Sequence, residues 1–119
     1  MEREFILSWQ FERQLKYFSN EKDILIDIEQ EIFRDLEKEI AARDIIQGTG
    51  GFTKIRVPFD GRGKSSSLRV IYLDSAIDEK VFLMMIYSKS EFENISEQAR
   101  KVLKQIALEI KNEKKERNS

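Results

Sequence analysis

A change of hydrophobic period at residues 47–51 constrains this chain more than any other feature. Before it, Ile24, Ile28, Ile32, Leu36 and Ile40 recur every four residues with Asp and Glu among the residues between them, the spacing that lays one apolar stripe along a helix. After it, the residues alternate: Thr53, Ile55 and Val57 fall on one side, and Phe52, Lys54 and Arg56 on the other, the two-residue period of a strand. The break itself is Gln47, Gly48, Thr49, Gly50 and Gly51. Three glycines in four residues permit positive φ and a tight reversal from helix into strand. A glycine-rich phosphate cradle would need the opposite order, strand into helix, with a Lys-Ser or Lys-Thr pair at its end, so the turn is the preferred reading.

The remaining elements follow from the same two periods. Phe5, Ile6 and Leu7 read as a short strand entering an amphipathic stretch with Phe11, Leu15 and Phe18 at helical spacing. Ser19 or Asn20 can cap the main helix. Pro58 ends the strand that begins at Phe52, residues 60–67 form a polar loop, and residues 68–73 and 81–87 are two further strands joined as a hairpin, the last apolar enough to be covered on both faces. Ser96 caps a final helix with Ala99, Val102, Leu103, Ile106 and Ile110 as its stripe, and the chain turns polar and frays after Asn112. The expectation is one α+β domain over residues 1–119, with a polar tail from about residue 113: a small antiparallel sheet of about four strands with helices gathered on one side.

Composition removes whole classes of chemistry. The chain has no cysteine and no histidine, which excludes disulfides, thiolate metal sites, a cysteine nucleophile, the commonest metal ligand and the commonest general base near neutral pH. Any enzyme here works with Asp, Glu, Lys, Arg, Tyr or Ser. Residues 1–7 are too charged for a signal peptide and no later stretch resembles a membrane span, so a cytosolic protein is expected, with no membrane partner.

The net charge of −1 conceals an uneven distribution. Residues 1–46 hold 7 Lys/Arg against 12 Asp/Glu, residues 47–72 hold 5 against 1, and residues 73–119 hold 9 against 9. The middle is a basic island, the electrostatic footprint of phosphate contact or else a solvated strand face. Arg69 interrupts an apolar strand. It must reach the sheet rim, pair with a carboxylate, or face a polar cleft, because an unpaired buried guanidinium is costly. Tyr87 ends the most apolar strand and is followed by Ser88, Lys89, Ser90 and Glu91, which is either a polar cap or part of a site. In a three-strand meander Lys54 and Arg56, Arg69 and Tyr87 occupy adjacent strands and can converge on one anion-binding patch.

Three ordered segments carry a resemblance. Ile46, Gln47, Gly48, Thr49, Gly50, Gly51, Phe52, Thr53, Lys54, Ile55, Arg56 and Val57 form the first. Gly61, Arg62, Gly63, Lys64 and Ser65, continuing to Leu68, Arg69, Val70, Ile71 and Tyr72, form the second, and Ile86, Tyr87, Ser88, Lys89, Ser90 and Glu91 the third. In residues and spacing they resemble the body of the HigB toxins, a branch of the RelE/ParE superfamily in type II toxin-antitoxin systems, over roughly residues 20–112. The resemblance implies an endoribonuclease that cuts messenger RNA in the ribosomal A site and inhibits translation. It implies no metal or other cofactor, and silencing by a HigA-like helix-turn-helix antitoxin, through which alone operator DNA is met.

Carried over by position, the catalytic candidates are Lys54, Arg56, Arg69, Tyr87 and Lys89, and Arg62, Lys64 and Glu91 are candidates for RNA binding. Arg56 and Arg69 would stabilise charge on the attacked phosphate, Lys54 is a candidate base among neighbouring cations, and Tyr87 or Lys89 would orient the ribose or protonate the leaving oxygen. The sequence departs from the pattern at Ser65, Ser66 and Ser67, where relatives carry glycines, and in its acidic balance. Two alternatives remain open on this resemblance: a toxin like the ParE branch that inhibits gyrase by protein contact, and a degenerate toxin that only binds its antitoxin and regulates transcription.

Overall fold

A computed structural model describes residues 2–18, 20–58, 67–88 and 95–118, with side chains through residue 112. Among the described residues the order is β1 (Glu4–Leu7), α1 (Trp9–Leu15), α2 (Glu21–Glu37), a 3-10 turn (Ile40–Ala42), β2 (Thr53–Pro58), β3 (Ser67–Ser75), β4 (Lys80–Ser88) and α3 (Glu97–Asn118). The strands lie side by side as β1, β4, β3, β2. The expected meander is present, β2 against β3 and β3 against β4, both antiparallel. The expectation of a wholly antiparallel sheet needs correction, because β1 joins β4 in parallel, Glu4 opposite Lys80 through Leu7 opposite Leu83. The helices between β1 and β2 carry the chain from one edge of the sheet to the other, so that β1 and β2 point the same way at opposite edges.

The helices also divide between the two faces instead of gathering on one. Phe11 and Leu15 of α1 and Ile24, Ile28, Ile32 and Leu36 of α2 pack on Ile55, Val57, Leu68, Val70, Tyr72, Val81, Leu83 and Ile86. Leu103 and Ala107 of α3 pack on the opposite set, Ile46, Phe52, Ile71, Leu73 and Tyr87. Alternation along each strand supplies both faces, as the two-residue period requires.

Local chemistry places the helices. Ser8 caps α1, its Oγ accepting from Phe11 N at 3.0 Å while donating to Met84 O at 2.9 Å, and Gln14 Oε1 accepts from Ile86 N at 3.0 Å. β1 pairs with β4 only as far as Leu83, and these α1 side chains satisfy backbone groups of β4 beyond it. α2 stops at Glu37, with Lys38 already extended. The guanidinium of Arg43 reaches back to Leu36 O at 2.9 Å and Lys38 O at 3.0 Å, a cation on the carbonyl end of the helix. Ile40, expected in the buried stripe, is therefore turned out and 67% exposed. Asn20 occupies the N-cap of α2 without a side-chain cap bond; the alternative cap, Ser19, lies outside the described residues. Ser96 caps α3 as expected, its Oγ accepting from Ala99 N at 3.1 Å. The helix runs to Asn118, where Lys, Glu and Arg are good helix formers and no Gly or Pro interrupts them.

One buried polar pair ties α2 to the sheet. The Tyr72 hydroxyl donates to Asp35 Oδ2 at 2.5 Å, and Lys38 Nζ stands 3.4 Å from Asp35 Oδ1. Burial, then the hydrogen bond and charge of Asp35, push the Tyr72 phenol far above its ordinary range. The unfolded chain releases this proton near pH 10 while the native state holds it, so the stabilisation is complete below about pH 10 and is lost as pH rises beyond it. Urea unfolding at about pH 9 and about pH 11 is expected to show a steep fall in stability, with a limiting slope of about 1.4 kcal/mol per pH unit for each such tyrosine. In Tyr72→Phe this fall should be shallower, although the variant starts about 1–3 kcal/mol less stable because Asp35 loses its buried donor. An unchanged pH slope in that variant would contradict the account.

Candidate functional site

The site is built on one rung of the sheet. Arg56 of β2 stands opposite Arg69 of β3, and Arg69 opposite Tyr87 of β4. Residues directly opposed across antiparallel strands project from the same face with Cβ atoms about 5 Å apart, so the three side chains form a row. Lys54, two residues before Arg56, shares that face. Four of the predicted site residues are thus brought together. Arg62, Lys64, Lys89 and Glu91 lie outside the described residues.

Exposure rises across this face toward Arg56. Ile71 is buried, Arg69 is half-buried beside it, and Arg56 is exposed. α3 covers the part of the face around Ile71 and Leu73. Arg69 Nη1 donates to the buried Ser67 Oγ at 2.8 Å, which steadies the guanidinium. Among the described residues the ion pairs are Arg3 with Asp74, Arg34 with Glu31, Lys38 with Asp35 and Lys54 with Asp44, so no described carboxylate pairs with Arg69 or Arg56. A structural ion pair was one of the readings of Arg69, and these residues do not supply it. Like charges directly opposed across a sheet destabilise it, and an anion held between the guanidiniums would offset that repulsion.

Tyr87 is only 3% exposed. Burial pushes its phenol up, the charge of Arg69 pulls against that, and Asp44 adds to it. The phenol therefore keeps its proton at neutral pH and stands in the field of the Arg69 guanidinium.

Asp44 was missed in the sequence. The turn at residues 47–51 folds Ile45 back against Thr53 in an isolated bridge, with Lys54 N donating to Asp44 O at 2.9 Å and Ile46 N to Phe52 O at 2.9 Å. This small hairpin sets Asp44 beside Lys54, with its Oδ2 3.9 Å from Lys54 Nζ. The partner of Lys54 is a carboxylate, where the sequence suggested only cations. The turn itself is structural, as expected. Thr49 is fully buried, its Oγ1 donating to Ile46 O at 2.7 Å and accepting from Phe52 N at 3.1 Å. Gly48, Gly50 and Gly51 all have positive φ.

Among the described residues no cluster of three or more carboxylates is placed to hold a metal ion, and no helix is long and apolar enough to cross a membrane. A mixed sheet with a helix hairpin on one face and an arginine row on the other is suited to an anionic partner. A family model described as the RelE toxin of the RelE/RelB toxin-antitoxin system matches residues 37–118, most of the chain and all of this rung. The chain belongs to that family of toxins, within the RelE/ParE superfamily.

Proposed function

We propose that this toxin is a metal-independent endoribonuclease of the HigB type, which cleaves messenger RNA in the ribosomal A site and so blocks translation in the cytoplasm. The observation that carries the proposal is the rung of Arg56, Arg69 and Tyr87, two guanidiniums with no carboxylate partner among the described residues and a protonated phenol, on one sheet face. A phosphodiester supplies the anion this row needs, and its own 2′-hydroxyl supplies the nucleophile.

The reaction balances without a cofactor. The 2′-oxygen attacks the adjacent phosphorus in line, giving up its proton to the protein. The phosphorane carries extra negative charge on its non-bridging oxygens, where the forked Arg69 and Arg56 bind most strongly. The bond to the 5′-oxygen then breaks and that oxygen takes a proton. Tyr87 holds a proton in the right field to donate it, and Asp44 with Lys54 sets an acceptor and a donor side by side at the edge of the row. The products are a 2′,3′-cyclic phosphate and a 5′-hydroxyl. Lys89 and Glu91 would join Tyr87 at the strand end, and Arg62 and Lys64 would hold flanking phosphates.

The partner that silences it would be a HigA-like helix-turn-helix antitoxin. Trp9 of α1, its ring under Arg13 at 4.6 Å, Tyr17 just after α1 and Ile26 of the acidic α2 are all exposed, and exposed apolar groups favour a second reading in which toxicity comes from protein contact, as for gyrase inhibitors. A cell-free translation extract separates the two. The proposal expects translation to stop and the message to acquire new 5′-hydroxyl ends within ribosome-bound codons, with the cognate antitoxin preventing both. Intact message in an arrested extract, or no arrest at all, would refute it.

A further inference from the structure

α3 and the glycine-rich turn enclose a second basic cleft apart from the arginine rung. Its lining is Gln47 and Gly48 on one side and Ile95, Glu97, Arg100, Lys101 and Lys104 on the other. Lys101 and Lys104 are exposed, and none of the three cations belongs to an ion pair among the described residues. Arg100 Nε is buried and has no hydrogen-bond partner among the described residues. A buried donor without an acceptor is unfavourable and calls for a ligand or some other explanation. Arg100 as a whole is half-buried and lines the cleft, and a guanidinium can bind two oxygens of one phosphate. Gly48, at φ 79°, has open space where a side chain would be, so that lip of the cleft stays clear.

The cleft and the rung lie on the same face of the sheet. Ile46, Tyr87 and Leu103 pack in one cluster. Gln47 follows Ile46, and Arg100 precedes Leu103 by about one helical turn, so the cleft borders the same cluster that holds the Tyr87 ring of the rung. We propose that Arg100, Lys101 and Lys104 bind a backbone phosphate of the RNA flanking the one at the rung. Glu97 weakens the cleft for a bare anion, and with Gln47 it offers acceptors to a ribose hydroxyl, which suits a nucleotide better than an isolated phosphate. That the strand is RNA rests on the endoribonuclease reading above.

The test is fluorescence anisotropy of a short single-stranded RNA made uncleavable by a single 2′-O-methyl group at the scissile nucleotide, its flanking riboses left free, titrated with wild type, Arg100→Gln and the double variant Lys101→Gln, Lys104→Gln. The double variant should bind about tenfold more weakly, with a salt slope smaller by about 0.7, the value for one lost phosphate contact on a single strand. Because both lysines are exposed, this variant keeps the test valid if the half-buried Arg100→Gln fails to fold. Equal affinity and equal slope for the double variant and wild type would overturn the proposal, as would loss of binding to an acidic protein segment with RNA binding intact. If wild type binds the probe through these lysines yet leaves no 5′-hydroxyl ends on message, the endoribonuclease reading fails while the cleft stands.

Discussion

Arg69→Ala is expected to lose RNA cleavage by about a hundredfold or more while melting at the wild-type temperature. Taking one charge-stabilising donor from a developing oxyanion raises the barrier by about 3 kcal/mol. The packing argument points the other way. Arg69 has no carboxylate partner among the described residues and stands directly opposite Arg56, so its removal relieves a like-charge pair and forfeits little beyond the contact with Ser67. Arg69→Lys keeps the charge but loses the fork, and should fall between wild type and the alanine variant. Thermal melting alongside mapping of RNA ends decides the matter. Cleavage at the wild-type rate would remove Arg69 from the mechanism, and a melting temperature lowered by several degrees would assign it a structural role.

Gly50→Ala should unfold the protein about 12 °C below wild type, the largest stability effect expected from a single methyl group in this chain. Gly50 has φ 77°, and a Cβ there would lie 2.9 Å from Ala107 Cβ on α3. The left-handed backbone alone costs an L residue about 1–2 kcal/mol. The clash adds to it by displacing α3 from the sheet, and about 3 kcal/mol in total corresponds to that fall in melting temperature. Gly48→Ala is the control, since Gly48 has φ 79° but open space beside it, and only the backbone cost of about 1–2 kcal/mol applies. Equal losses at the two positions would show that α3 does not depend on the close approach at Gly50.

Much of this architecture could be read from hydrophobic period alone. The four-residue spacing from Ile24 to Leu36 and the alternation after Phe52 report local burial, and both were realised. The period misled at Ile40, where Arg43 pulls the chain out of helix by binding carbonyls at its end, a contact between residues that no periodicity marks. Val102 was assigned to the α3 stripe and is 55% exposed, whereas Ala107, fully buried, was overlooked. A small residue carries little hydrophobic signal, and Ala107 matters because Gly50 lets the turn come so close. The site followed the same division. Alternation put Lys54 and Arg56 on one face, but which residues oppose each other depends on register, including the irregularity between Ile71 and Tyr72. Asp44 and Arg100 were invisible because each enters through a turn or helix folded back onto the sheet. The parallel placing of β1 was equally hidden, since four residues carry no mark of strand direction.

That parallel pairing has a consequence for how the molecule comes into being. Glu4 to Leu7 find their partners only at Lys80 to Leu83, and α1 uses Ser8 and Gln14 to satisfy β4 further on. On the ribosome the first strand and helix are therefore made long before anything exists for them to pair with, and such distant contacts close late. Until β4 emerges, Leu7 and Phe11 lack the sheet face on which they pack, while Phe5 can already meet Phe33 of α2. β3 and β4 also contribute two of the three members of the arginine rung, so the face that carries the rung is assembled in the same late step that completes the sheet. On the proposed reading, a nascent copy has no assembled site until the end of its synthesis, because the rung exists only once β4 has paired with β3.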